Sequence, residues 1–366
     1  MTAKYNAENE RLKRAYLIWM REAEQHGEQS LDAILKALHR FDSYNKFRPF
    51  RAFHYEQAVA FKHHLAEAKS ERGHGPLSLA TQHSTLAALK AFFRWLVGQP
   101  GFKRRFTYAD AAYFSMARSD SRIAKTHREA RVPSLEQVRT ALAKMPSSTA
   151  LELRDRAVFA FVLLTGARDG AIPSLRRKHL DLPNGRVLFD AREVRTKFSK
   201  TFSTWFFPVG DEVLPIIEQW ATHLDTVELL GPDEPLFPST KVEVGSDSRF
   251  RAVGLAREPW AGADPVRKIF RKAFEGAGLP YHAPHSVRKT LTQLGERLCK
   301  SPEEFKAWSQ NLGHEGVLTT FRSYGSVRQD RQAQIIRDLA KAPEGPAESL
   351  RELRRALDKV AAASGL

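Results

Sequence analysis

The sequence predicts a mainly α-helical chain of two domains, with a small β-sheet in the C-terminal domain. Three observations indicate this fold class. The length of 366 residues is enough for two domains with a core each. Apolar residues recur at helical spacing through most of the first 100 residues. The one clear β-rich region lies between residues 187 and 209, which suits a small hairpin sheet.

The first part of the chain is predicted to be entirely helical. Residues 8–25 form an amphipathic pattern that needs a surface to pack against. The residues on its apolar face are Leu12, Tyr16, Trp19 and Met20. Three more helices are expected over residues 31–41, 55–69 and 79–97, separated by Pro and Gly residues. The aromatic residues of the last helix are predicted to be core: Phe92, Phe93 and Trp95.

The apolar periodicity weakens from residue 102 to residue 131, where eight Lys or Arg residues occur. This pattern predicts a basic linker. Ser134 then has the position of a helix N-cap, with Gln137 completing a capping box, so a second domain begins here.

Within the second domain we expect a buried helix that ends at Gly166, a shorter helix near residues 172–178 and then the hairpin sheet. Four further helices are predicted over residues 212–224, 264–278, 285–300 and 302–313.

These patterns divide the chain into five segments. They are an N-terminal amphipathic helix (1–28), a helical domain (29–120), a basic linker (121–132), a mixed α/β domain (133–342) and a C-terminal helix (343–366). The last segment follows a Gly/Pro break and aligns Leu350, Leu353, Leu357 and Val360 on one face. We expect this helix to dock on a neighbouring protomer.

The charge balance favours a polyanionic partner. Lys and Arg total 58 against 42 acidic residues, a formal net charge of +16. The longest strongly apolar stretch, residues 157–167, is far shorter than the ~20 residues of a membrane span. A polar N-terminus and a single cysteine, Cys299, argue for a reducing cytoplasm and against secretion. The absence of a phosphate-loop motif and of a cysteine cluster argues against ATP-driven motors and zinc fingers.

Four short segments of the second domain carry a cation or a proton-transferring group. They are TGAR (165–168), RTKFSK (195–200), HSVR (285–288) and LGH (312–314), and Tyr324 follows them. Exchange of a phosphodiester without a metal ion requires fixed positive donors around the phosphorus. Guanidinium groups suit this role because their planar forks bind two phosphate oxygens and stay protonated. Arg168 and Arg288 are therefore candidates for a phosphate clamp.

The same reaction needs an acid and a nucleophile. A lysine on a flexible hairpin, Lys197 or Lys200, can protonate a leaving 5′-oxygen. A tyrosine hydroxyl can attack the phosphorus and form a covalent phosphoester, which preserves the bond energy without ATP. The second domain contains two tyrosines, Tyr281 and Tyr324. Tyr281 lies only four residues before His285, a position from which it is poorly placed to attack the same phosphate. Tyr324 is therefore the predicted nucleophile.

The order of TGAR, a hairpin lysine, HxxR, LGH and a tyrosine resembles the tyrosine recombinase (phage integrase) family over roughly residues 132–330. The resemblance implies a two-domain clamp around duplex DNA, with residues 29–120 as core-binding domain and residues 133–342 as catalytic domain. It also implies a 3′-phosphotyrosine intermediate formed without metal, ATP or another cofactor. Four protomers would act together on paired DNA sites in the cytoplasm, associated with the nucleoid.

The resemblance also implies roles for individual residues. Arg168 and Arg288 would clamp the phosphate, and Lys197, with Lys200 as the alternative, would be the general acid. His285 would assist proton transfer and His314 would donate to a phosphate oxygen. Tyr324 would attack the phosphorus.

Two positions depart from the family pattern. The acidic residue that commonly lies three residues after the first arginine is Ala171 here, although Asp169 is nearby. Tyr324 follows His314 by ten residues, where the family commonly has nine. These departures keep a second hypothesis open, a recombinase-derived protein that binds DNA without cutting it. A type IB topoisomerase is a third.

The basic residues of the first domain and of the linker are candidates for DNA contacts. The predicted DNA-binding residues are Lys62, Lys90, Arg94, Arg104, Arg105, Arg122 and Lys125. No metal site is expected, because His282 and His285 have metal-ligand spacing but no accompanying cysteine or carboxylate cluster.

Overall fold

The computed structural model describes residues 5–69, 75–125, 132–245 and 247–314. The chain divides into two compact units, residues 1–128 and 129–366. The predicted fold class is confirmed, because both units are mainly helical and small antiparallel sheets occur in the second. Within the described ranges, every helix is too short or too polar to cross a bilayer.

The first unit is a helical bundle around an aromatic core. Its helices are α1 (Ala7–Glu22), α2 (Glu28–Tyr44), α3 (Tyr55–Glu67), α4 (Leu79–Val97), α5 (Tyr108–Ala112) and α6 (Arg118–Lys125). Phe92 and Phe93 are fully buried, as predicted, and Trp95 is packed at the edge of the core. The ring of Phe41 meets three other phenylalanine rings edge-on at centroid distances of 5.1 to 5.5 Å. Such edge-to-face contacts add to the free energy gained by burying the rings.

A buried polar network joins α1 to α2. The side chain of Asn9 donates to Asp42 Oδ1 at 2.8 Å and to the Arg48 carbonyl at 2.9 Å. Asn9 Oδ1 accepts from the Phe50 N–H, and Lys13 Nζ pairs with Asp42 Oδ2 at 3.0 Å. Because every buried polar group of this network has a partner, the first helix is fixed on the bundle.

The linker prediction is wrong for residues 102–125. This region forms α5 and α6, and it buries side chains in the core of the first unit. The buried residues are Phe102, Phe106, Ala111 and Phe114. The basic residues lie in the exposed turn before α5 and in α6, so the local sequence shows charge and little apolar periodicity.

The second unit is built around α8 (Ala150–Thr165), which is buried almost completely. The other helices are α7 (Leu135–Ala143), α9 (Leu214–Thr226), α10 (Asp264–Gly276), α11 (Pro284–Leu298) and α12 (Pro302–Asn311). The predicted capping box at Ser134 is confirmed. Ser134 Oγ accepts from the Gln137 N–H at 3.1 Å, and Gln137 Oε1 accepts from the Ser134 N–H at 2.9 Å.

The predicted hairpin is part of a three-stranded antiparallel sheet in the order β1 (Leu180–Asp181), β2 (Arg186–Phe189) and β3 (Phe202–Trp205). Strand β3 ends at Trp205 and not near Val209. The shorter helix expected near 172–178 is instead two single 3₁₀ turns, at Ile172–Ser174 and Arg177–His179. The backbone is extended at Leu175 and Arg176, between the two turns, and the Leu175 carbonyl accepts from the Leu236 N–H, so one continuous helix is interrupted there.

A second ribbon was not predicted from the sequence. Strands β4 (Thr240–Val244) and β5 (Phe250–Leu255) pair antiparallel, with a register shift between Lys241 and Val242. Most of their side chains are exposed. Because neither face is buried, the strands lack the apolar alternation by which a half-buried strand is recognised.

Candidate active site

The end of α8 positions the first candidate arginine. Gly166 adopts a left-handed conformation with φ of +62° and stops the helix. A β-carbon at Gly166 would lie 2.9 Å from Leu312 Cδ2, so only glycine fits this turn without a shift. The chain then leaves the core and places Arg168, which is half-buried, beside the helix end. Burial lowers the pKa of its guanidinium.

The second candidate arginine, Arg288, lies in the first half of α11 and is only 5% exposed. Its Nη1 donates to the Gly166 carbonyl at 2.7 Å, and its Nη2 donates to the Leu312 carbonyl. Burial, and secondly the charge of Arg168, lower the pKa of Arg288. Arg288 therefore joins the TGAR turn to the LGH segment.

The two candidate histidines are held in their neutral form. His285 lies three residues before Arg288, on the same side of α11. Loss of hydration, followed by the charges of Arg288, Lys289 and Arg168, lowers its pKa, although part of the side chain is exposed. His314 is 8% exposed.

For His314, burial lowers the pKa to about 4, with further contributions from Arg288, Arg168, His285 and Lys200. A neutral imidazole can donate a hydrogen bond from one nitrogen and accept one at the other, as proton transfer at a phosphate requires. Because the charges of Arg288 and Arg168 both lower its pKa, His314 lies within electrostatic reach of both arginines.

The two candidate lysines lie on the segment before β3. Lys197, exposed, lines a small cavity together with Arg168 and Arg288, and its Nζ lies 4.8 Å from the ring centroid of Phe198. Lys200, half-buried, lines a neighbouring surface groove together with His314. Phe198 adopts a left-handed φ of +61°, so the backbone turns sharply between the two lysines. Lys197 therefore lies beside the same cavity as the two arginines.

The family's acidic position is not replaced in any direct way. Ala171 is buried and contributes only a methyl group to the cavity wall. Asp169 Oδ2 accepts from Arg267 Nε at 2.7 Å, which ties the TGAR turn to α10. Within the described parts of the chain, the carboxylate of Asp169 thus pairs with Arg267 and no carboxylate is paired with Arg168.

Three residues near this site were missed from the sequence. Arg195 and Thr196 line the arginine cavity, and Thr196 Oγ1 is buried without a hydrogen-bond partner among the described residues. Arg195 Nη1 also donates to the Ala261 carbonyl at 3.0 Å. The third residue, Asn311, bonds to β3 immediately before the LGH segment. For Arg195 and Thr196 the available signal was their position directly before Lys197.

Tyr324 and the C-terminal segment 343–366 lie outside the described residues. The predicted DNA contacts lie in the first unit. Lys62 Nζ donates to the Ser115 carbonyl at 3.3 Å, and Lys90 Nζ donates to Ser115 Oγ at 2.8 Å, so these two lysines share one surface. The exposed members of the set are Arg94, Arg104, Arg105 and Arg122. Lys125 is the last residue of α6, and its side chain is outside the described part.

Residues 134–331 match the phage integrase family, a span that contains every candidate catalytic residue. The chain belongs to this family. It is a tyrosine-type site-specific recombinase, and cleavage and rejoining of DNA is the activity of the family.

Two relatives show how far the likeness extends along this recombinase. It is 22% identical over 336 residues to the tyrosine recombinase XerC of Halalkalibacterium halodurans, covering 90% of this chain and 97% of the relative. It is 26% identical over 263 residues to XerC of Escherichia coli O157:H7, covering 72% of this chain and 74% of the relative.

The recombinase also shares its fold with solved structures. A lambda integrase(75-356) dimer bound to a COC′ core site matches with a TM-score of 0.59 and 14% identity, over 87% of this chain and 96% of that one. The Tn1549 transposon integrase in complex with transposon right end DNA matches with a TM-score of 0.59 and 15% identity, over 90% of this chain and 99% of that one.

Proposed function

We infer that this recombinase cleaves and rejoins double-stranded DNA through a 3′-phosphotyrosine intermediate, without metal or ATP. The observation that carries the proposal is the convergence of Arg168, Arg288 and Lys197 on one small cavity. Two guanidinium groups that lie this close together can clamp one phosphate, because each presents donors that stay charged at neutral pH. Fixed cations of this kind stabilise the charge that develops on non-bridging oxygens.

The roles follow from the chemistry of each group. Arg168 and Arg288 hold the scissile phosphate, and the phenol of Tyr324 attacks the phosphorus. A covalent bond forms between the tyrosine oxygen and the phosphorus, and the bond from the phosphorus to the 5′-oxygen breaks. His285 assists removal of the phenolic proton, and His314 donates to a phosphate oxygen. The lowered pKa values of both histidines support these roles at neutral pH.

Lys197 is the proposed general acid that protonates the leaving 5′-oxygen. Its support is the cavity shared with both arginines. Lys200 remains the alternative because it lies near His314, whose pKa it lowers. Protonation of the leaving oxygen by a positioned group accelerates such a step by roughly 10²–10⁴-fold.

The first unit is proposed to hold the duplex. Lys62 and Lys90 share one surface at Ser115, and the exposed arginines Arg94, Arg104, Arg105 and Arg122, with Lys125, add positive charge. Contacts of this kind position a protein on DNA and make its affinity depend on salt. Residues 29–120 are the proposed core-binding domain and residues 133–342 the proposed catalytic domain.

The proposed assembly is a tetramer on paired DNA sites. One solved neighbour is a lambda integrase tetramer bound to a Holliday junction, with a TM-score of 0.57 and 14% identity. In this proposal the amphipathic segment 343–366 docks on a neighbouring protomer, and the protein acts in the cytoplasm, at the nucleoid.

The test is covalent capture on a nicked duplex that carries the cognate site, selected from a random duplex library by binding to the full-length protein. Cleavage next to the nick releases a short strand, so rejoining is prevented and the adduct accumulates. We expect an adduct with the wild-type protein in the presence of EDTA and none with Tyr324→Phe, because only the hydroxyl is removed. Tyr281→Phe is the matched control and keeps the adduct.

Three other outcomes contradict the proposal. Site-specific binding without any adduct would favour a DNA-binding protein that does not cut, the hypothesis that Ala171 and the ten-residue spacing between His314 and Tyr324 keep open. An undiminished adduct in Tyr324→Phe would assign the nucleophile elsewhere. Relaxation of supercoiled plasmids by the monomer, without a paired site, would favour a type IB topoisomerase.

A further inference from the structure

Asn311 forms a two-point contact with the free edge of strand β3. Its side-chain Oδ1 accepts from the Trp205 N–H at 2.7 Å, and its Nδ2 donates to the Trp205 carbonyl at 2.9 Å. Strand β3 pairs with β2 on its other side and, within the part of the chain that the structure describes, is the edge of its sheet. The carboxamide therefore pairs with β3 in the way that a neighbouring strand would.

A second contact fixes the same position along the strand. Thr204 is 1% exposed, and its Oγ1 donates to the Asn311 carbonyl at 2.8 Å. Two residues later, a β-carbon at Gly313 would lie 2.6 Å from the ring of Phe202. The chain from Asn311 to Gly313 thus lies along β3 at one register, with little room to slide.

The two ends of this contact carry different parts of the active site. Strand β3 begins two residues after Lys200 and five after Lys197. Leu312, next to Asn311, accepts from Arg288 through its carbonyl, and His314 follows. Helix α12, which ends at Asn311, is also fixed to α11, because Trp308 Nε1 donates to the Leu291 carbonyl at 3.0 Å.

We propose that Asn311 is a positioning residue that sets the lysine-bearing strand against the Arg288 and His314 side of the phosphate site. An amide is suited to this task because it satisfies a backbone donor and a backbone acceptor at once. A misplacement of about 1 Å in a catalytic group is enough to slow a reaction markedly. The inference rests on the proposed cleavage reaction.

The experiment compares two leaving groups. One nicked duplex has the ordinary 5′-oxygen, and a second has sulfur at the bridging position. The thiolate leaves without a proton because a thiol is far more acidic than an alcohol, so cleavage no longer depends on the general acid. A variant whose lysine is misplaced should therefore cleave the oxygen substrate slowly and the sulfur substrate at nearly the wild-type rate.

The variants are Asn311→Leu, which removes both amide hydrogen bonds at similar size, and Asn311→Asp, which keeps the acceptor for the Trp205 N–H and loses the donor. We expect Asn311→Leu to cleave the oxygen substrate about 10-fold or more slowly, part of the ~10²–10⁴-fold that a general acid contributes. It should cleave the sulfur substrate within about 3-fold of the wild-type rate. Asn311→Asp is expected to cleave the oxygen substrate at a rate between those of the wild-type protein and Asn311→Leu.

Lys197→Ala and Lys200→Ala are the reference variants. Loss of the lysine that acts as general acid should slow cleavage of the oxygen substrate more than Asn311→Leu does, and the sulfur substrate should restore the rate. Gln310→Ala, a substitution of the exposed neighbour on α12, is the matched control and keeps the wild-type rates. Circular dichroism and DNA affinity report whether each variant is folded.

Equal slowing on both substrates would overturn the inference, because Asn311 would then act on the fold or on the phosphate clamp as a whole. Wild-type rates for both Asn311 variants would overturn it as well. If the wild-type protein forms no adduct on either substrate, the proposed function itself fails, and this outcome is distinct from the other two.

Discussion

At the scale of single residues, the candidate site is a set of cations and neutral histidines, of which Arg288 and His314 are buried. The carbonyls of Gly166 and Leu312 hold the guanidinium of Arg288. Burial, and secondly the charge of this guanidinium, lower the pKa of His314 and keep it neutral. The site without DNA thus has an excess of positive charge, and a phosphate dianion or diester would relieve that repulsion.

Because His314 is held neutral, the free energy of unfolding should depend on pH. Its pKa in the folded protein is about 4, below the ~6.5 of an unfolded chain. Between these values the unfolded chain binds more protons, so the free energy of unfolding falls as the pH is lowered from about 6.5 to about 4. At pH 5 this group alone lowers it by about 2 kcal/mol.

Denaturant unfolding of the wild-type protein and of His314→Asn at pH 7 and pH 5 measures this effect. The wild-type protein should lose about 2 kcal/mol more than the variant over that interval. An identical loss in both proteins would mean that His314 is not held neutral by its surroundings.

Most residues of the candidate site could be proposed from the sequence because arginine, histidine and lysine occur there in short motifs. Arg168, Arg288 and Lys197 line one cavity, and His314 lies within reach of both arginines. Asn311 could not be recognised in this way. Its role depends on meeting β3, which lies more than 100 residues earlier in the chain, and one asparagine at a helix end has many other uses.

At the scale of elements, the junction between α8 and α11 determines where the two arginines meet. Gly166 ends α8 and brings its carbonyl to Arg288. Leu291 and Leu312 pack over the same glycine. The geometry of the helix end is therefore part of the proposed phosphate site.

Gly166→Ala tests this junction. The added β-carbon would lie 2.9 Å from Leu312 and 3.1 Å from Leu291, in a left-handed backbone conformation that alanine disfavours. We expect a loss of about 1–3 kcal/mol in the free energy of unfolding. Adduct formation should also decline, because the carbonyl that holds Arg288 moves.

Gly276→Ala is the matched control, since no atom lies within 4 Å of the added β-carbon at the end of α10. It should leave both properties close to those of the wild-type protein. A Gly166→Ala protein as stable as Gly276→Ala would show that the junction tolerates a side chain and does not fix the arginine.

The elements that could be predicted are those with a strong period or a cap. Helix α8 has a long apolar run, and α7 has the Ser134 capping box. The failures are short elements. Helix α5 is only five residues long, α6 is half charged, and the β4–β5 ribbon is exposed on both faces, so their formation depends on contacts that a local pattern does not contain.

At the scale of the whole molecule, charge and length indicated the class of partner and the number of compact units. The net charge of +16 and the two units agree with a recombinase that binds DNA. Family membership adds the class of reaction. Net charge and length do not encode the target sequence, because base readout depends on a few side chains among many exposed polar ones.

The central claim is that the phenol of Tyr324 becomes bonded to a DNA phosphate beside a clamp of fixed cations. The most direct measurement is mass spectrometry of the adduct, formed on the nicked cognate duplex in EDTA and then digested with nuclease and trypsin. We predict a nucleotide 3′-phosphate on the tryptic peptide of residues 323–328, which contains Tyr324. A nucleotide on the peptide that contains Tyr281, or an adduct that forms only when a divalent cation is supplied, would contradict the account.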